Sequence, residues 1–165
     1  QMLLRAAQIL KTTPGELDSR IEQQLTEMKD LRQHLEQMKA EASLGEARSF
    51  LMSAKDVGGI KVLTARKDGM DAAALRQMGD FLRDKEPGVV AVLASVNGEK
   101  ITFQAVCGPE AVKRGIKAGE LVKQVCGICG GKGGGKPDSA MGGGSDLLKI
   151  DDALASVDDF VAGKL

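Results

Sequence analysis

From Leu17 onward the apolar residues fall at positions 17, 21, 28, 31, 35, 38 and 42, in spacings of four and three that only Gln24 interrupts. This is a heptad seam, with Ile21, Met28, Leu35 and Ala42 at a and Leu17, Gln24, Leu31 and Met38 at d. Four heptads before Gly45 predict a helix on the order of 45 Å long, at about 1.5 Å per residue. A rod of that length cannot be covered by a small globule, so its stripe must pack on another helix. Two partners fit. One is the helix that ends near Lys11, folded back as an antiparallel hairpin. The other is a second copy of the chain, for which Leu17, Ile21, Met28, Leu31, Leu35 and Met38 would be the dimerisation surface.

Residues 1–11 read as the last turns of a helix, opening mid-pattern at Gln1 as a piece of a longer protein would. Thr13-Pro14-Gly15-Glu16 then has the composition of a capping box, which predicts a new helix start. At Gly58-Gly59 the helical period is lost, dividing the chain into a helical arm over 1–57 and a compact domain over 58–165. In the second part, Ile60 to Ala65 predicts a strand. Asp71 can cap a helix bearing Leu75, Met78, Phe81 and Leu82, which Pro87-Gly88 stops. Val89 to Val96 and Lys100 to Cys107, joined at Asn97-Gly98, predict a β-hairpin. A short helix opened by Gly108-Pro109 and interrupted at Gly115 comes next, then helices over about 118–128 and 150–161 separated by a glycine loop. The order implies an α/β fold: a long helical hairpin or coiled-coil arm followed by a small mixed sheet flanked by helices.

Composition narrows the function. With 23 basic and 23 acidic side chains among 165 residues, the net charge is zero, so any affinity for nucleic acid must come from a local patch. Four Phe, no Tyr and no Trp exclude an aromatic platform for stacking single strands. No run of about 18 apolar residues predicts a membrane span. Three cysteines do not make a disulfide framework and suit a reduced, cytoplasmic protein.

Residues 127–144 hold nine of the 21 glycines. A run this rich in glycine is commonly a flexible linker. Here it contains lysines and the rigid Pro137-Asp138, and folded-looking sequence flanks it on both sides. Residues without side chains let backbone approach a ligand and expose consecutive amides, a concave anion site to which Lys132 and Lys136 would add charge. Gly130, Gly135 and Lys136 also satisfy G-x-x-x-x-G-K. The Ser or Thr that should follow is Pro137, and a helix precedes where a P-loop needs a strand, so an ATP site is not expected.

Cys126 and Cys129 form C-x-x-C, but zinc needs four ligands and the remaining candidates are Cys107 and the distant His34. The pair falls at the end of a predicted helix, not at the N-terminus that would lower a thiol pKa, so buried packing is the better reading. His34 reads as a solvated side chain. No catalytic constellation or metal cluster stands out. Charge is unevenly spread: from Ala111 to Lys136, Lys113, Arg114, Lys117, Lys123, Lys132 and Lys136 face the single acid Glu120, whereas the stretch from Asp138 to Leu165 is acidic. Such a run can be merely a solvated helix face. Adjoining the glycine segment, it points to nucleic acid, with folded RNA recognised by shape and backbone. The expected binding set is Lys113, Arg114, Lys117, Lys123, Lys132, Gly133, Gly134, Gly135, Lys136 and Asp138.

Three segments together, Gly130 to Gly144, GIKAGELVKQV over Gly115–Val125 and LKTTPGELDSRIEQ over Leu10–Gln23, make the chain resemble the C-terminal part of bacterial alanyl-tRNA synthetases. GGKGGGKPDSA is the most specific stretch, a signature in the domain that family shares with DHH-type phosphoesterases. Met141 stands where the family usually has Gln, and Gly142 where it often has Ala. The resemblance implies a module that binds the elbow of tRNA (tRNA-Ala for the parent enzyme) and helps form a homodimer, bringing charging and editing together on one tRNA. It carries over Gly131, Gly133, Gly134, Gly135, Lys136, Pro137, Asp138 and Gly143 as the signature. The parent is implied to be a ligase using ATP, Mg and Zn in other domains, leaving no cofactor and no catalysis for this part. Two other readings stay open: the nucleic-acid-binding half of a DHH-type phosphoesterase, whose motif usually has His where Lys136 stands, and a purely structural dimerisation arm.

Overall fold

The computed structural model describes all residues, 1–165. They divide into two compact units, Gln1–Ser43 and Leu44–Leu165.

In the first unit, helix α1 (Met2–Ile9) is followed by Lys11 in the left-handed region (φ 53°) and a 3-10 turn over Pro14–Glu16. Helix α2 (Leu17–Met52) starts there and continues into the second unit. The expected capping box does not close on the backbone amides. Thr13 Oγ1 instead donates to Glu16 Oε2 at 3.2 Å, and the 3-10 turn bridges the gap before the α-helix begins. Ala7 and Leu17 are buried, while Ile21, Met28, Leu31, Leu35 and Met38 are each at least 40% exposed. The helix, expected to end before Gly45, runs seven residues beyond it. Its last turns carry Ala47, Phe50 and Leu51 into the core of the second unit. Burial of those side chains outweighs the roughly 1 kcal/mol that a helical glycine costs.

In the second unit, β1 (Lys55–Val57), β2 (Ile60–Arg66), α3 (Ala72–Lys85), β3 (Val89–Asn97), β4 (Lys100–Cys107), α4 (Pro109–Lys113), α5 (Ala118–Ile128), β5 (Lys132–Gly135), β6 (Ser139–Gly144) and α6 (Ile150–Lys164) follow in order. The strands form one sheet in the order β1-β2-β3-β4-β6-β5, parallel between β2 and β3 and antiparallel elsewhere. Strand β1 was not expected: it is three residues long, mostly exposed, and shows no alternation. Gly58 and Gly59, both at positive φ, make the turn that folds it onto β2. Asp71 caps α3 as expected, accepting from Ala74 N at 2.7 Å.

Strand β3 lies at the centre and is covered on both faces, hence its nearly unbroken apolar sequence. Val90, Val92 and Ala94 join Phe103 and Ala105 beneath α5 and α6. Val89, Ala91 and Leu93 point the other way, with Leu63 and Val106, beneath α3 and the end of α2.

The main correction concerns the glycine segment, expected as a loop and found as a two-stranded hairpin at the sheet's edge. Glycine has low strand propensity, but β4 supplies a ladder for β6, and α5 lies too close for side chains in between. A Cβ at Gly133 would collide with Val122 Cγ1. One at Gly142 would lie 2.5 Å from Cys126 Sγ, and one at Gly144 2.7 Å from Cys129 Cβ. Cys126 and Cys129 are therefore the floor of α5, fully buried against the hairpin. Burial, together with the neighbouring Cys129 sulfur, pushes the Cys126 thiol up to about 11. Burial raises Cys129 as well, with Asp146 adding to the shift and Lys149 opposing it. Cys107, buried in β4, is pushed up to about 12 by burial first and Asp138 second.

Two outcomes are expected. Gly133→Ala should lower unfolding free energy by about 1–3 kcal/mol through overpacking, whereas Gly134→Ala, whose Cβ would meet nothing nearer than 3.9 Å, should change it by less than about 0.5 kcal/mol. Denaturant titration of both variants checks this, and equal effects would contradict the packing account. The thiols should resist disulfide reagents at pH 8 until the chain is unfolded, when all three react. Because their folded values lie above the unfolded value of 9.0, the unfolded chain loses these protons first. Their stabilisation is complete below that value and is lost as the pH climbs toward 11 and 12. A melting series in pH reads the fall.

Candidate nucleic-acid interface

The β5–β6 turn, Lys136–Ser139, is held from several sides. Lys136 N donates to Ser139 O (2.9 Å), closing the hairpin, and Cys107 N at the end of β4 donates to Asp138 O (3.0 Å). At the start of α5, Ala118 N donates to Pro137 O (2.8 Å). The Arg83 guanidinium of α3 reaches Asp138 Oδ2 at 3.3 Å, and the buried Gln104 Nε2 donates to Ser139 Oγ at 3.0 Å. A turn anchored by β4, α3 and α5 is a fixed projection, not a tether.

Three depressions surround it. A groove of about 440 Å³ between α3 and the hairpin is lined by Arg76, Asp80, Arg83, Lys136 and the backbone of Gly134 and Gly135, among others. A more apolar recess of about 690 Å³ has Pro87, Pro109 and Val112 in its lining, with Lys113, Arg83 and Asp138. A smaller hollow of about 150 Å³ lies between Lys117, Lys123, Gly135 and Pro137, with Glu120, which is paired with Lys164, also in its lining. Thus Lys113, Lys117, Lys123 and Lys136, scattered over 24 residues of sequence, line depressions around one turn. Lys132 is exposed on the edge strand β5. None of these five lysines has a carboxylate within 4.0 Å; the cations in ion pairs are Lys55, Lys61, Arg66, Lys67, Arg83, Lys149 and Lys164. Lys132 and Lys136 also guard an open sheet edge against pairing with other strands, a role that charge on an edge commonly has.

Other members of the expected set are placed differently. Arg114 turns to the far side of the sheet, where its Nη1 donates to Gly58 O at 2.6 Å in the β1–β2 turn. Gly133 faces α5 and is enclosed, while a side chain at Gly134 would meet only the flexible end of Lys123, at 3.9 Å. Asp138 is bound to Arg83, so its carboxylate serves to hold the turn. The acidic α6 is tied at Asp158 to Lys55 on β1, the opposite edge of the sheet, at 3.0 Å, and at its end by Lys164 to Glu120 of α5 at 3.3 Å. Of the six residues of the expected dimerisation surface, Leu17 is buried in the first unit and the other five are exposed.

Arg76 and Arg83 were not anticipated. They lie some fifty residues before the hairpin in an ordinary amphipathic helix. The one available signal was the spacing of Arg76, Asp80 and Arg83 at i, i+4 and i+7, which puts all three on one face. The orphaned Oε1 of Gln104, buried without a hydrogen-bond partner, was likewise invisible in a sequence where Gln104 sits in a strand pattern.

Comparison with known proteins places this geometry in a family. Residues 59–163 match the DHHA1 domain. The chain is 41% identical over its full length to an alanine–tRNA ligase of Thiobacillus denitrificans, of which it spans 19%, and 43% identical over its full length to that of Methylobacillus flagellatus, again 19% of the relative. An alanine–tRNA ligase of Geobacillus kaustophilus is 41% identical over 97% of this chain and 18% of its own. The chain thus spans about a fifth of the relatives it matches. Among solved structures, the C-Ala domain of alanyl-tRNA synthetase from Aquifex aeolicus superposes with a TM-score of 0.63 at 27% identity, over 67% of this chain and 98% of that one. The glycine hairpin under α5 lies wholly inside the matched residues, and the chain belongs to the DHHA1 domain family in the form found at the C-terminal end of alanine–tRNA ligases.

Proposed function

We propose that this chain is a tRNA-binding module of an alanine–tRNA ligase, contributing no catalytic group of its own. The observation that carries the reading is the fixed hairpin turn with lysines around it that no carboxylate neutralises. Free cations beside an open backbone suit the sugar-phosphate exterior of a folded RNA, and the lack of aromatic platforms argues for shape and backbone recognition over stacking of splayed bases. The relatives being alanine–tRNA ligases makes tRNA-Ala the natural ligand and the elbow, its outer corner, the natural surface. In this reading the module keeps charging and editing on one tRNA. ATP, Mg and Zn are expected elsewhere in the parent, and its compartment is the cytoplasm. No helix here is long and apolar enough to cross a membrane.

The exposed stripe of Ile21, Met28, Leu31, Leu35 and Met38 supports a second element of the proposal, a homodimer formed through the arm.

Replacing Lys117, Lys123 and Lys136 by Ala should weaken tRNA binding and flatten the dependence of log affinity on log salt by roughly 0.9 for each phosphate that is no longer neutralised. Unchanged affinity and slope would contradict the interface. For the arm, sedimentation velocity should show dimer at micromolar concentration for the wild-type chain and monomer for Leu31→Asp/Leu35→Asp. A wild-type chain that stays monomeric throughout would overturn the dimer.

A further inference from the structure

We infer that the RNA backbone is gripped from two sides, running through the groove between α3 and the glycine hairpin, with Arg76 as a phosphate ligand opposite Lys136. The inference rests on the tRNA-binding reading and adds to it a track and a residue outside the basic segment. Arg76 is exposed on α3 and has no ion-pair partner, although Asp80 follows one turn later on the same face. Arg83 explains why. Its guanidinium gathers Asp80 (3.3 Å), Asp138 (3.3 Å) and Asp84 (3.8 Å), so the groove's carboxylates are already engaged. Arg76 and Lys136, contributed by different elements, are left as the two cations of the groove outside any ion pair, and with Arg83 they outweigh its two carboxylates, Asp80 and Asp138.

The remaining lining suits ribose as well as phosphate. Gly134 is uncrowded, with Lys123 Cε at 3.9 Å the nearest atom to where its side chain would begin, so a sugar-phosphate chain can approach the strand there once that flexible lysine gives way. The carboxylates of Asp80 and Asp138, held in place by Arg83, offer acceptors to ribose hydroxyls, which a bare anion would not use. An arginine on one wall and a lysine on the other fix a phosphate from two directions, the arginine fork supplying the geometry. Rigidity follows from the ion pair between Arg83 and Asp138, which fastens one wall to the other.

The test is tRNA binding measured from low to moderate salt for wild type, Arg76→Ala, Lys136→Ala and the double variant. Arg76 is exposed and unpaired, so its removal leaves the fold intact, and a thermal melt confirms it. Arg76→Ala is expected to reduce the salt slope by roughly 0.9, as does Lys136→Ala, with the double variant losing both increments. If Lys136→Ala flattens the slope while Arg76→Ala leaves it unchanged, the backbone does not enter the groove and the inference fails while the tRNA-binding reading stands. If neither variant changes it, or the wild type binds no tRNA, the underlying reading falls too. A DNA of the same stem-loop sequence should bind more weakly than the RNA to the wild type, and equal binding would contradict the ribose contacts.

Discussion

The close approach of α5 to the β5–β6 hairpin is the constraint on which the rest of the globular unit depends. Val122, Cys126 and Cys129 rest on backbone where Gly133, Gly142 and Gly144 leave no side chain between. Because the helix sits so low, its first residue can donate a hydrogen bond to the hairpin turn, and Lys117 and Lys123 come alongside Gly135 and Pro137. Most of the glycine signature is therefore about packing: Gly131, Gly133, Gly135, Gly142 and Gly144 leave no room for a side chain, which lets a helix lie on an edge hairpin at contact distance. Gly134 alone among the signature glycines is uncrowded, and the same packing brings Lys123 to within 3.9 Å of it.

A second anchor acts from the other face of the sheet. Arg83 of α3 is held by Asp80, Asp84 and Asp138, and through Asp138 it fixes the turn from the opposite face of the sheet. Each of these pairs is partly exposed and contributes little to stability singly. Their combined effect is geometric: they fix where the turn points and hold the three carboxylates on Arg83, leaving Lys136 and Arg76 outside any ion pair. The hydrogen bond from Gln104 to Ser139 adds a buried link at the same point, at the cost of an unsatisfied Oε1. Burial of such a polar group beneath the turn fits a site whose position matters more than its local stability.

Where a single face or a strong punctuating residue dictated local structure, the sequence was a good guide. The β3–β4 hairpin, the Asp71 cap of α3, and the helices on either side of Gly115 all follow from apolar, β-branched runs joined at a turn, cap chemistry and glycine at positive φ. The turn itself lies one residue later than Asn97-Gly98, at Gly98-Glu99, since Asn97 remains in the ladder opposite Lys100 and its side chain donates to Met70 O. What was not legible came from tertiary context. The glycine strands have no intrinsic preference for a sheet and exist because β4 and α5 make room for them. The helix passes through Gly45 because Ala47, Phe50 and Leu51 are buried beyond it. Within the candidate site, the lysines were readable as a charged run, but Arg114 belongs to the β1–β2 turn and Arg76 to the groove, a partition that depends on which elements the sheet order brings together.

The most direct measurement is chemical footprinting of tRNA-Ala by this chain. Recognition by a rigid, lysine-bordered hairpin predicts protection of the backbone where the D-loop and T-loop meet at the outer corner, and disappearance of that protection when Lys136 and Lys123 are replaced by Ala. Protection confined to the acceptor stem, or corner protection that survives those substitutions, would contradict it.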